Sequence, residues 1–414
     1  MNRTTTATVI TLTALALAFS AGCLGPKEST TGKITDAHSK LATVKSGVEW
    51  QQAQQQFLSG DLDKALSSVN KSLKANPTVA KSYVLKGRII LEKGDAAAAA
   101  ECFNQALALD AENCDANYYL GIVAERNRNH AEAMAHYRRA MELDPSNPQY
   151  AIATAEMLVQ LDQPGEAIQL LLGCSSDISN SAGIRQTLGQ IEALQGHYAK
   201  AAEYFGEARL IAPNDMQIVE QLAKAQVAAG QYADAEFHLA QLFKNEKIAA
   251  RRDLQILRAQ CLVHLDRLVD ARTLLLKITE SASSQADVQT WIMLGEVCAK
   301  LNDNGRLRTI SQRLISATPD RWEGYALKGL WLQRTNRRDD AVIAFKAAVD
   351  RCGDDATPVV LYGALLSEMG KTAEARKCAQ RAMAMQPNNP LAVKLQTYID
   401  GRTTGIAGTP GTTD

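Results

Sequence analysis

The chain has 414 residues, 46% of them hydrophobic and 22% charged, so it can bury a large core and is not disordered by default. Aromatic residues make up only 5%, a balance that suits tightly packed helices better than aromatic-rich β-sandwiches. Forty-five basic residues cancel forty-five acidic ones, and without a dense positive field nucleic acid is not expected as a partner.

In chain order, the first 23 residues differ in kind from the rest. Arg3 and the α-amino group precede a Thr/Ala/Leu run, Ala7 to Phe19, which ends in Ser20, Ala21, Gly22 and Cys23. A run this short, with one flanking charge, reads as a secretory signal and not as a membrane span. The Ala-Gly-Cys ending resembles the lipobox of bacterial lipoproteins, with Ser20 where that family usually has Leu. The resemblance implies a signal peptide over 1–22 and lipidation of Cys23. Leu24 follows the cysteine where an Asp would signal retention, which by the same resemblance implies an outer-membrane location on the periplasmic side. Ordinary secretion, with cleavage near Ala18 or Ala21, is the alternative. A lipid anchor would be the only membrane contact, since no other apolar run is long enough to cross a bilayer. Leu24 to Lys45 is mostly polar and reads as a tether that can carry one short helix near Lys33 to Val44.

Internal periodicity organises the rest of the chain. Pro77, Pro145, Pro213, Pro319 and Pro387 recur at multiples of about 34 residues, apart from one longer interval. Placing each at position 32 of a unit sets starts at 46, 80, 114, 148, 182, 216, 252, 288, 322 and 356, so ten units span 46–389. Position 8 is Gly or Ala in every unit, from Ala53 and Gly87 to Gly363, and position 20 is Ala in all but Leu307. Only a close crossing of two helices demands such small residues. Position 15 is Gly60, Gly94, Arg128, Asp162, Gly196, Gly230, Asp266, Asn302, Asn336 and Gly370. Gly, Asn and Asp tolerate the left-handed backbone that ends a helix.

Trp291-x-x-Leu294-Gly295, Leu120-Gly121 and Leu188-Gly189, with Ala99-x-x-x-Phe103, Ala133-x-x-x-Tyr137, Ala201-x-x-x-Phe205 and Ala341-x-x-x-Phe345, resemble tetratricopeptide repeats (TPR). The resemblance implies an all-α fold, a TPR solenoid of about ten helix-turn-helix repeats in a right-handed superhelix. Three places depart from the period. Unit four loses the end of its second helix at Gly173 to Asp177, and units six and seven gain residues around Asn245 to Arg251 and Ser281 to Gln285. Residues 390–400 read as a helix that caps the last apolar face, and 401–414 as a disordered Gly/Thr-rich tail.

No catalytic constellation, metal-ligand spacing or cofactor fingerprint occurs, so neither enzyme activity nor a bound metal or cofactor is expected. His130 and His136 are six residues apart and the other histidines are scattered. Of eight cysteines, seven follow Cys23, an odd number with no C-x-x-C pair; most sit at helix-packing phases.

What remains is surface. In TPR proteins the first helices line a groove, with positions 2, 5, 6, 9, 12 and 13 facing the ligand. Carried onto units one to four, that groove is Trp50, Val84, Leu85, Arg88, Tyr118, Tyr119, Ile122 and Ile152. Aromatic and Arg anchors of this sort suit a protein partner. The Lys/Asn clamp that grips chaperone C-termini has no three consecutive units to supply it. The expected function is a non-enzymatic adaptor of the bacterial envelope, similar to TPR lipoproteins that assist secretion systems or type IV pili. The alternative is an accessory factor of polysaccharide or peptidoglycan synthesis, regulating an enzyme or contacting glycan through Tyr118 and Tyr119 beside Asp115.

Overall fold

The computed structural model describes residues 30–280 and 288–406. The signal peptide, Cys23, the extra residues of unit seven and the last part of the tail lie outside the described residues. Among those described there are 23 α-helices and no strand.

The chain divides into two compact units, one ending at Pro145 and the other beginning at Ser146. The N-terminal unit holds repeats one to three as α1 (Thr30–Leu58), α2 (Leu62–Ala75), α3 (Ala80–Glu92), α4 (Ala96–Leu109), α5 (Cys114–Arg126) and α6 (His130–Leu143). The C-terminal unit carries the other seven repeats and the helix Pro390–Ile406.

Each repeat folds as it does for local reasons. Second helices begin on a side-chain cap at position 16: Asp61, Asp95, Asn129 and Asp303 each accept a backbone N–H two or three residues into the helix. First helices end at position 15, where all ten residues have a positive φ. Five of these are not glycine, and Arg128, at φ 60°, is the one with no side chain suited to it. The two helices then cross on small residues. Every position-20 side chain, Leu307 included, is fully buried.

In eight of the ten repeats the position-8 residue tracks the residue at position 24; Gly295 and Gly363 have Ser311 and Ala379 there and lie instead against Leu327 and Leu395. Gly87, Gly121, Gly189 and Gly329 lie against the rings of Phe103, Tyr137, Phe205 and Phe345. Where position 8 is alanine (Ala53, Ala155, Ala223 and Ala259), position 24 is aliphatic: Val69, Leu171, Leu239 and Leu275. A methyl gained on one helix is matched by volume lost on the other, as close packing requires.

Two of the three irregular places are built, not slack. Repeat four's second helix stops at Leu172, and a short helix, Ser176–Ser179, leads into repeat five. The extra residues of repeat six form the one-turn helix Glu246–Ala249, capped by Asn245. The tether expectation is corrected: α1 runs unbroken from Thr30 into repeat one, because no Pro or Gly pair interrupts the segment. The capping helix also extends past 400 to Ile406, so the first six residues assigned to the tail are helical. Ala392, Leu395 and Ile399 close the core of repeat ten. All seven described cysteines are free, and burial raises the thiols of Cys261 and Cys298 to about 11. They serve as small hydrophobes.

Candidate functional site: the inner face of the first helices

Within each unit most consecutive first helices touch one another, and a Gln186–Gln221 hydrogen bond joins those of repeats five and six, so their exposed positions form an inner face. In the N-terminal unit this face is largely spoken for. Val84 and Leu85, expected to meet a ligand, are only 6% and 3% exposed and belong to the cores around Phe103 and Ile89. They are packing residues: Val84 is packed with α4 and α5, and Leu85 with α1 and α2. Trp50, Arg88, Tyr118, Tyr119 and Ile122 are half-buried.

Those side chains also hold each other. The Arg88 guanidinium lies 5.0 Å from both the Phe57 and the Tyr119 ring centres. Tyr119 stacks on Phe103 at 5.4 Å and meets Tyr118 edge-on at 5.4 Å. Burial raises the Tyr119 hydroxyl above its ordinary value, and the Arg88 charge opposes that. Trp50 donates Nε1–H to the Lys81 carbonyl at 3.2 Å, under the Lys81 ammonium. The pair Tyr118–Tyr119, expected to suit a glycan, therefore already spends ring surface inside the protein. Ile152 belongs to the C-terminal unit, where its Cδ1 sits 3.0 Å from where a Cβ on Gly183 would be.

The C-terminal unit presents a different inner face. Between repeats five and six opens a cavity of about 470 Å³ walled by Ala193, Leu194, Tyr198, Phe205 and Ala225, with Gln190, Gln221 and Lys224 at its edge. Leu194 is 76% exposed there and Tyr198 41%. Gln186 donates to Gln221 across the two first helices at 2.8 Å, which fixes one edge. Glu220 is gripped at the next turn: Arg251 reaches it with Nη1 and Nη2 at 2.6 and 2.9 Å, and Lys224 at 2.6 Å. Burial works to raise the Glu220 pKa, but these hydrogen bonds outweigh it and hold the carboxyl below its ordinary value. Arg251 comes from the extra residues of repeat six, so that insertion ties the inner face together.

Farther along, Val227, Tyr232, Gln260, His264, Met293 and Glu296 wall a second cavity of about 340 Å³. The Tyr232 and His264 rings stack at 3.9 Å, one degree from parallel. Glu296 reaches solvent yet is surrounded by the concave wall; desolvation raises its pKa, with Glu323 adding and Lys300 opposing. No group of three metal-ligating side chains occurs among the described residues. The sequence reading carried the groove onto units one to four alone, so it left out Leu194 at position 13 and Tyr198 at position 17 of unit five.

A family model described as Tetratricopeptide repeat matches residues 51–113, 84–148 and 220–286. Over those segments the repeats match tetratricopeptide repeats. The fold is a TPR α-solenoid. Superkiller complex protein 3 of Mus musculus is 23% identical over 220 residues, covering 42% of this chain; the chain spans 14% of that protein's length. Photosystem I assembly protein Ycf3 of Synechococcus elongatus is 29% identical over 151 residues, covering 34% of this chain and 76% of Ycf3. Among solved structures, PilW, described as a widely conserved type IV pilus biogenesis factor, superposes with a TM-score of 0.45 at 21% identity, over 51% of this chain and 97% of PilW. A TPR protein from Parabacteroides merdae gives 0.42 at 16%, over 61% of this chain and 98% of its own.

TPR proteins mediate protein–protein interactions. One further device joins consecutive TPR repeats of this chain: Arg126 and Arg334, both at position 13, donate to the carbonyls of Leu91 and Ala299, both at position 12 of the preceding repeat. Each of these carbonyls also accepts a backbone N–H, from Gly94 and Asn302, so the arginine adds a second donor that ties one repeat to the next.

Proposed function

We propose that the chain is a non-catalytic adaptor of a bacterial envelope, which holds a segment of a partner protein on the inner face of repeats five and six. The observation that carries this is the apolar cavity of about 470 Å³ with Leu194 and Tyr198 standing open beside it. Large apolar side chains at the mouth of a concave site stay in water until something covers them. Gln190, Gln221 and Lys224 at the edge offer donors and acceptors to a bound backbone. Arg88, Tyr118 and Ile122 form a second contact region, in the N-terminal unit. An assembly role is supported by the likeness to Ycf3 over 34% of the chain. The envelope setting is supported by the apolar run Ala7 to Phe19 and the cysteine that follows, with Cys23 as the anchor. The balanced charge favours protein over nucleic acid.

A photo-crosslinking residue placed at Leu194 in native cells tests this. A discrete protein adduct is expected at Leu194 and not at Ile343, which is exposed on a second helix. Adducts of equal yield at both positions, or at neither, would sink the docking site.

A further inference from the structure

α1 changes character along its length. From Ser46 onward it is the first helix of repeat one: Ser46 and Ser72 share a buried hydrogen bond of 2.9 Å, and Ala53 is fully buried. On its other side stand Leu41, Val44 and Val48, 65%, 64% and 58% exposed. Their spacing of three and then four residues puts them in one stripe on the helix. A terminal repeat ordinarily closes with a polar outer face, and this stripe is apolar.

Beside the stripe, a cavity of about 590 Å³ opens between α1 and the end of α2, lined by His38, Leu41, Lys45, Glu49, Lys71 and Lys74. Around that cavity Lys45, Lys71 and Lys74 outnumber the single carboxylate, Glu49. That is a cationic end on a chain whose formal charge is zero. Among the described residues no helix is long and apolar enough to cross a membrane. A helix with a narrow apolar stripe and a lysine rim lies instead in the headgroup boundary, where depth comes from the stripe and attraction from anionic lipid.

We propose that this end of the protein is a membrane-surface element, with Leu41, Val44 and Val48 entering the boundary of an anionic phospholipid bilayer and Lys45, Lys71 and Lys74 meeting its headgroups. The occupant is lipid and not protein because the rim of the cavity is predominantly basic. The proposal goes beyond the adaptor reading and does not need Cys23 to carry lipid, so either can fail without the other.

The test is amide hydrogen exchange of the full chain, with vesicles of phosphatidylethanolamine and phosphatidylglycerol or of phosphatidylcholine alone. Exchange in the segment 38–49 should slow with the anionic vesicles and stay unchanged with phosphatidylcholine. Lys71→Glu with Lys74→Glu should raise the lipid concentration needed for half-protection at least about tenfold, with helical content preserved. Three outcomes overturn the proposal: no slowing with either vesicle, equal slowing with both that ignores the lysine substitutions, or slowing without vesicles that grows with protein concentration. The last would mean that a second copy of the chain covers the stripe.

Discussion

A Cβ atom on Gly121 would lie 2.5 Å from Cδ1 and Cε1 of Tyr137. The ring is also held from its far end, where the Tyr137 hydroxyl donates to Glu125 Oε2 at 2.7 Å. It cannot step aside without losing that bond. The glycine is therefore a volume requirement of the helix crossing and not of the backbone, since Gly121 sits mid-helix.

Gly121→Leu should accordingly destabilise the N-terminal unit by about 1–3 kcal/mol or more, read by urea unfolding. Gly121→Ala should cost less, and most of that cost should vanish in Gly121→Ala with Tyr137→Leu, the pairing of repeats with alanine at position 8. Unchanged midpoints for Gly121→Leu would refute the register, and an unrelieved double variant would refute the compensation.

Arg128 holds a left-handed backbone without the help of a short polar side chain. Arg128→Gly should remove roughly 1 kcal/mol of strain, partly offset by the greater chain entropy of glycine when unfolded. A modest rise in melting temperature is expected. A fall would mean that the arginine side chain stabilises more than its backbone costs.

His238 supplies a pH dependence. It is buried with Nδ1 2.8 Å from Gln226 Oε1, and burial first, then Arg209, hold its pKa below the ordinary value, against a smaller pull from Asp234. The unfolded chain binds that proton more readily, so the contribution is complete above about pH 6.5 and is lost as pH falls through the lower folded value. Stability measured by urea should decline from about pH 7 to 5, and the decline should flatten in His238→Gln. Glu192 acts lower: burial opposes ionisation, but Lys200 and His197 hold its pKa down, so its contribution is lost below the carboxylate range.

For the inner face, Leu194→Ser and Tyr198→Ala should weaken capture of the crosslinked partner by about 2 kcal/mol or more while circular dichroism stays constant. If capture survives both and is lost in Arg88→Ala or Tyr118→Ala, the working site is in the N-terminal unit.

Cys23→Ser should move the protein from the membrane to the soluble fraction and abolish labelling by a fatty-acid analogue, because stable anchoring takes more than one acyl chain on that cysteine. A wild-type chain that fractionates as soluble, with a mature N-terminus other than Cys23, would replace lipidation by plain secretion.

What the chain states by itself is its local grammar. Position 15 must leave the right-handed helix region, and position 20 must admit another helix at close range. Both demands act on single residue types, so Gly60, Asn302 or Ala133 announce them without any partner in view. The period, the helix pairs and the TPR character follow from them. Which inner residues are open was decided only in three dimensions. Val84 and Leu85 read like ligand contacts but are absorbed by helices more than ten residues away, while Leu194 and Tyr198 stay exposed. The same holds for α1, whose first half resembles a polar tether in sequence yet continues the repeat's helix and leaves Leu41 and Val44 bare. Periodicity names the face a residue occupies on its own helix, and burial depends on what the rest of the chain brings against that face.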